Sequence, residues 1–393
     1  MKTIRVVGMA AVAAATVLGT AACGGSSGGG AGASGGGGDI KIGFFTPKTG
    51  PSAPDGQSAL AGATLAEKQV NDAGGVDGRK ISLVTYDDAS DPKQGASIAT
   101  KLVTQDNVVA AVSGSYSPQT LAAAAIFQRN KVPMISAYAV NPGIPATGNF
   151  IFQADFNGVV QGRAGAQALA DKKHAKKPAI IAIDNDFGKA LVTGFKEQAQ
   201  KLGMTVVSEA RNQFGETSFE PAIRNAVAAG ADSIYMVQYV AEGKQFLLAY
   251  QKVGADLPIM STEGIDSAGF LDSIGDLANG VMWTTNLNRQ SKAPATQAFL
   301  KDFKAANSFS PDMVAASSHD AVFLLVEGMK KGGVTPEEIQ KGLMQVKDFT
   351  GATGTMSGFS PDRLVIKPVQ LQLFQDGKIV SAGEISDPEI LKP

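Results

Sequence analysis

Ile40-Lys41-Ile42-Gly43-Phe44-Phe45 opens the unit that decides the fold. This apolar run predicts a buried strand. Residues 57–71 follow with Leu60, Ala63, Ala66 and Val70 on one helical face, and Gly74-Gly75 stops the helix. Residues 81–86 then return as a second strand, which completes a βαβ unit with parallel strands. The cycle continues outward with helix over 93–106, strand over 108–112, helix over 118–130 and strand over 133–136. After a break it restarts: strand 179–183, helix 189–202, strand 205–208, helix 221–229, strand 233–237, helix 242–253 and strand 258–260. Strands spaced by helices predict an α/β protein of two doubly wound parallel-sheet lobes, helices covering both faces. The runs 39–155 and 156–284 are the two lobes. Beyond them, 293–306, 313–330 and 336–346 read as helices, and 364–374, the Asp376-Gly377 turn and 378–380 read as a β-rich tail.

The N-terminal segment reads as an address. Lys2 and Arg5 precede an apolar stretch from Val6 to Ala22, too short for a comfortable spanning helix, so 1–22 reads as a signal peptide. It ends Thr20-Ala21-Ala22-Cys23, which resembles a bacterial lipobox and predicts lipid attachment at Cys23. An ordinary signal peptide cut near the same place is the alternative. Residues 23–38 are almost wholly Gly, Ser and Ala after the Cys, a flexible linker.

Composition removes several classes of function. Lys and Arg total 35 against 36 Asp and Glu, with no basic run, which argues against nucleic acid binding. One Cys and two His exclude an intrachain disulfide and a Cys/His structural zinc site. Asp87, Asp88 and Asp91 read as a helix-capping loop rather than a magnesium site. Gly74-Gly75-Val76-Asp77-Gly78 follows a helix and precedes a strand, the reverse of a phosphate-binding fingerprint. No Gly-x-Ser-x-Gly elbow occurs. The expectation is a binding protein, not an enzyme, with no cofactor and no metal.

Residues 39–50, residues 62–80 and Tyr86-Asp87-Asp88-Ala89-Ser90-Asp91-Pro92-Lys93-Gln94 resemble the bacterial leucine/isoleucine/valine-binding protein family. These are extracytoplasmic receptors of branched-chain amino acid ABC importers, and the similarity covers nearly the whole body. It implies the type I periplasmic-binding architecture, in which two α/β lobes joined by three crossovers close on a ligand. By that resemblance 39–155 plus 286–355 form the N-terminal lobe and 156–285 plus 356–393 the C-terminal lobe. It also implies ABC permease subunits as partners, a monomer, and a place on the outer face of the cytoplasmic membrane. A flytrap sensor serving a signalling partner is the alternative.

The site expectations follow from both lines of reasoning. Ligands of open α/β sheets sit beyond the carboxyl ends of strands. After the 108–112 strand, Ser113-Gly114-Ser115-Tyr116-Ser117-Pro118 puts a hydroxyl and free N–H groups at a helix start, with Ser117 as N-cap. The resemblance matches Ser117 to the residue that holds the ligand's α-carboxylate, with Ser115 and Tyr116 beside it. It matches Tyr138, Ala139 and Val140 to a segment offering a carbonyl and a Thr hydroxyl, which Val140 lacks. Glu263 matches the acid that pairs with the ligand's α-ammonium; Phe187 and Tyr239 match aromatic walls. Asp55 aligns with a family aromatic and His319 with a family Tyr. Asp55 either points into the cleft, where it favours a ligand with extra donor or cationic groups, or caps the helix that starts near Gln57.

Overall fold

The computed structural model describes residues 38–392 apart from 268, 269 and 271–273. The signal segment, Cys23 and the linker to residue 37 lie outside the described residues. No described helix is long and apolar enough to cross a membrane.

The first sheet holds β1 (Ile40–Thr46), β2 (Ile81–Asp87), β3 (Ala110–Ser113), β4 (Met134–Ser136) and β5 (Ile151–Gln153), all parallel in the order β2-β1-β3-β4-β5. Ile42 is the register point, paired with Leu83 on one side and Ala110 on the other. Helices Ala53–Asp72 and Met313–Gly332 pack against each other beside this sheet. Where they meet, the two backbones approach so closely that a Cβ on Gly62 would lie 2.1 Å from the Ala315 carbonyl oxygen.

The second sheet holds β6 (Pro178–Ile183), β7 (Ser208–Asn212), β8 (Ser233–Val237), β9 (Ile259–Ser261) and β10 (Met282–Thr285), all parallel. After the small hairpin β11 (Phe349–Gly351) and β12 (Gly354–Met356), an antiparallel hairpin of β13 (Val369–Gln375) and β14 (Lys378–Ile385) extends this sheet. Its order is β14-β13-β10-β9-β8-β6-β7. Asp376 and Gly377 both have positive φ, as a two-residue hairpin turn of this kind requires.

Two expectations shift. The strand placed at 205–208 is Ser208–Asn212, sharing only Ser208. The apolar Val206-Val207 marks its approach, whereas an edge strand tolerates the polar Ser-Glu-Ala-Arg-Asn. Helix Gly158–Lys173 fills the break between the two runs and packs against Asp186–Lys201. The chain passes between sheets three times: at 154–157, at 286–293, and between 365 and β13. Gln153 pairs with Leu364, so pairing with the first sheet continues past residue 355.

Candidate ligand-binding cleft

The cleft is built from loops at the carboxyl ends of the parallel strands. β3 delivers Tyr116 and Ser117, β4 delivers Tyr138 and Ala139, β8 delivers Tyr239, and β9 delivers Glu263, Gly264, Asp266 and Ser267. Asp55, Phe187, Met313 and Val314 come from the first turns of three helices. These residues line one narrow cavity between the strand-end loops.

Ser117 is the first residue of helix Ser117–Arg129, not its cap; Tyr116 holds the cap position. The Ser117 hydroxyl therefore makes no capping bond. It is buried at the cavity wall and has no protein hydrogen-bond partner. Across the cleft, Glu263 begins a single 3₁₀ turn, Glu263–Ile265, capped by Thr262. Both of its carboxyl oxygens are buried and make no protein hydrogen bond of ordinary geometry, although the side chains of Asp155 and Gln161 lie beside them. Gly264 permits the approach, since a Cβ there would lie 2.4 Å from the Gln238 carbonyl oxygen and 3.0 Å from the Phe187 ring.

Aromatic rings wall the space and join the lobes. Tyr116 of the first lobe stacks on Tyr239 of the second at 4.3 Å and 6°. Phe187 stacks on the other face of Tyr239 at 4.7 Å, and Tyr138 meets Tyr116 edge-on. The Tyr138 hydroxyl donates to the Gly114 carbonyl at 2.6 Å.

Asp55 points inward. It lies in the first turn of Ala53–Asp72, too far in to cap it, and is buried. The Tyr116 hydroxyl donates to its Oδ2 at 2.5 Å. Burial pushes its carboxyl up to about 6, opposed by the Tyr116 and Ser267 hydrogen bonds and assisted by Asp312 and Asp266.

Three expected residues are not on this wall. Val140 is fully buried and packs toward Gly158, whose N–H donates to the Val140 carbonyl; the missing Thr hydroxyl is replaced by core packing. Ser115 is buried one layer back, beside the Asp88 carboxyl. His319 lies six residues beyond the start of its helix, about 9 Å along the axis. It faces a separate cavity with Gln69, Phe299 and Phe323, and its ring nitrogens meet Gln69 Oε1 at 2.8 Å and Asp320 Oδ1 at 3.1 Å. Met313 and Val314 line the ligand cavity from that helix instead.

Behind Glu263 lies a charged group that the sequence reading did not include. Asp155 sits in the first crossover, Asn286 in the second and Lys367 in the third, all buried. Burial pushes the Asp155 carboxyl up to about 7, with the Lys367 ammonium opposing. Burial and the neighbouring Asp155 carboxyl drive Glu263 well above the usual carboxylate range. Like charges in a desolvated site resist joint ionisation, so this pair titrates as a unit. Carboxyls raised on folding give stability that is present in acid and is lost as pH rises from about 4, here through about 7. The ligand-stripped chain is therefore expected to melt lower at pH 8 than at pH 5. Asp155→Asn should shrink that fall. Equal melting temperatures at both pH values would refute the burial of these charges.

Residues 39–378 match the family model described as periplasmic binding protein.

The chain belongs to the periplasmic binding protein family.

Within it, the chain is 30% identical over 320 residues to the leucine-, isoleucine-, valine-, threonine-, and alanine-binding protein of Pseudomonas aeruginosa, covering 81% of this chain and 85% of that one. It is 28% identical over 345 residues to a Leu/Ile/Val-binding protein homolog of Brucella melitensis, covering 87% and 93%. Among solved periplasmic binding proteins, the substrate binding protein LivJ of Streptococcus pneumoniae in complex with isoleucine superposes with TM-score 0.83 at 28% identity, over 88% of this chain and 99% of that one. A solute binding protein from R. palustris in complex with 4-hydroxybenzoate gives TM-score 0.81 at 26% identity, over 88% and 96%. The resemblance read from 39–94 holds, and the periplasmic-binding fold of two α/β lobes with it.

Proposed function

We propose that this chain is the extracytoplasmic binding protein of an ABC importer, capturing an amino acid or a related small polar compound by lobe closure. One observation carries the reading. A partnerless Ser117 hydroxyl beside a helix N-terminus and a partnerless Glu263 carboxyl face the same cavity from opposite lobes. The first suits a carboxylate and the second an ammonium. A ligand held by both has its full contacts only when the lobes meet, so its differential affinity drives closure.

The remaining assignments belong to the same proposal. Asp55, Tyr116, Ser117, Tyr138, Ala139, Phe187, Tyr239 and Glu263 contact the ligand. The lobes divide near 155, 286 and 366, where the chain changes sheets. Cys23 carries a lipid that holds the monomer at the outer face of the cytoplasmic membrane, and a permease receives the ligand from the closed form. Binding without turnover is its whole role. A second reading, an aromatic acid as ligand, is favoured by the Tyr116–Tyr239–Phe187 stack and by the R. palustris relative, but it leaves Glu263 without a cation.

A thermal-shift screen of the stripped chain tests this. Amino acids, amides, polyamines and aromatic acids are the panel; a ligand at about 100 times its dissociation constant adds about 2.7 kcal/mol. Stabilisation by an amino acid is the expected result, and stabilisation by 4-hydroxybenzoate alone would transfer the role to aromatic acids. Ser117→Ala should weaken amino-acid binding by about 10- to 150-fold, the worth of a hydrogen bond to a charged group. Unchanged affinity in calorimetry would remove Ser117 from the site.

A further inference from the structure

Taking the amino-acid reading as its basis, we propose that Asp55 selects a ligand whose side chain carries a positive charge, rather than an aliphatic amino acid. The case rests on which buried acids around the cleft already have an opposite charge. Asp266 is paired with Arg289, Nη2 to Oδ1 at 2.5 Å, and also accepts from Trp283 Nε1 at 3.0 Å and from Thr285. Asp155 faces Lys367. Asp312 caps helix Met313–Gly332 through the Ala315 N–H at 2.8 Å and accepts from Ser58, at the end of that helix's dipole that favours negative charge. Glu263 receives the ligand's α-ammonium on the reading above. Asp55 is left with the neutral hydroxyls of Tyr116 and Ser267.

The lining of the cavity sharpens this imbalance. Its described residues include Asp55, Glu263 and Asp266, with no Lys, Arg or His among them. A zwitterionic head group brings no net charge, so its ammonium at Glu263 is matched by its own carboxylate at Ser117 and the negative charge of the cleft is left in excess. A positive side chain at Asp55 offsets that excess, and a buried carboxylate without a cation is costly. Two partnerless polar groups buried at this cavity from opposite lobes, the Ser117 hydroxyl and the Glu263 carboxyl, mark the space as a ligand site rather than a chance cluster of acids.

Geometry gives the side chain a route. Asp55, Tyr116 and Tyr239 also line an adjoining pocket with Pro54, Phe214, Val240 and Glu242, whose buried carboxyl adds a further acid on that side. A side chain leaving the head group on this side meets the Asp55 carboxyl and passes the edges of the stacked Tyr116 and Tyr239 rings. An isobutyl group there would bring nothing to Asp55 and would bury it further from water.

Calorimetry on the full chain, unfolded and refolded to remove any captured ligand, tests the proposal. The probes are L-lysine, L-ornithine, L-arginine, L-glutamine and L-leucine. A cationic probe is expected to bind at least about tenfold tighter than both leucine and glutamine. Asp55→Leu and the milder Asp55→Asn should each collapse that ratio towards one, with circular dichroism showing both variants folded. Leucine or glutamine matching the best cationic probe, or a ratio untouched by either variant, overturns the proposal while the amino-acid reading stands. Binding of none of the five overturns both.

Discussion

Glu263→Gln is expected to lower amino-acid affinity and to raise the stability of the unliganded chain. Removing one partner of a buried charge pair costs about 2–5 kcal/mol, a loss of about 30-fold to several thousand-fold in affinity. In the unliganded chain the sign reverses. There the Glu263 carboxyl is buried, without a protein partner and beside Asp155, so an uncharged amide of the same shape relieves the repulsion. Calorimetry and a melt at pH 8 on the same preparation separate the effects. A merely structural Glu263 would lose stability, and its affinity would change little. Opposite movements are the signature of a binding residue that costs stability.

The second large effect concerns the C-terminal lobe. Helices Gly158–Lys173 and Asp186–Lys201 meet with their backbones in contact. A Cβ on Gly162 would lie 2.0 Å from the Leu191 carbonyl oxygen and 2.7 Å from the Phe195 nitrogen. A Cβ on Gly194 would lie 1.9 Å from the Val159 carbonyl oxygen. Neither neighbour is a flexible side-chain tip, so Gly162→Val forces the helices apart and loosens Leu191, Phe195 and Leus of the same core such as Leu169. The expected cost is about 3 kcal/mol or more, a fall in Tm of roughly 6–12 °C for a lobe of this size. A change of only a degree or two would mean that the helices do not cross there.

The same glycines show where sequence reading stops. Ile40–Thr46 and its parallel neighbours were legible because strands buried on both faces are continuous apolar runs. Helix Gly158–Lys173 was not, because Gly158, Gly162 and Gly165 weaken helical propensity and its small residues blur the apolar face. Those glycines serve a neighbour distant in sequence, and only the packed structure reveals it. The cleft divides in the same way. Ser117, Tyr239 and Glu263 stand at strand ends, where topology alone places ligand contacts. Asp266 and Ser267 follow Glu263 directly and were within reach of that rule. Asp155 and Lys367 were not, since their meeting depends on two crossovers about two hundred residues apart in the chain coming together. His319 misled because a helix position was carried over without the rotation and rise that turn it from Met313 to the other cavity.

The central claim is that one ligand is read at two poles from two lobes. The most direct test titrates the stripped chain with its best amino acid, with the amine lacking the carboxylate, and with the acid lacking the ammonium. Both truncated compounds are expected to lose at least about 30-fold in affinity, the amine through Ser117 and the acid through Glu263. If either truncated compound binds as tightly as the intact amino acid, that pole does not hold the ligand and the account is wrong.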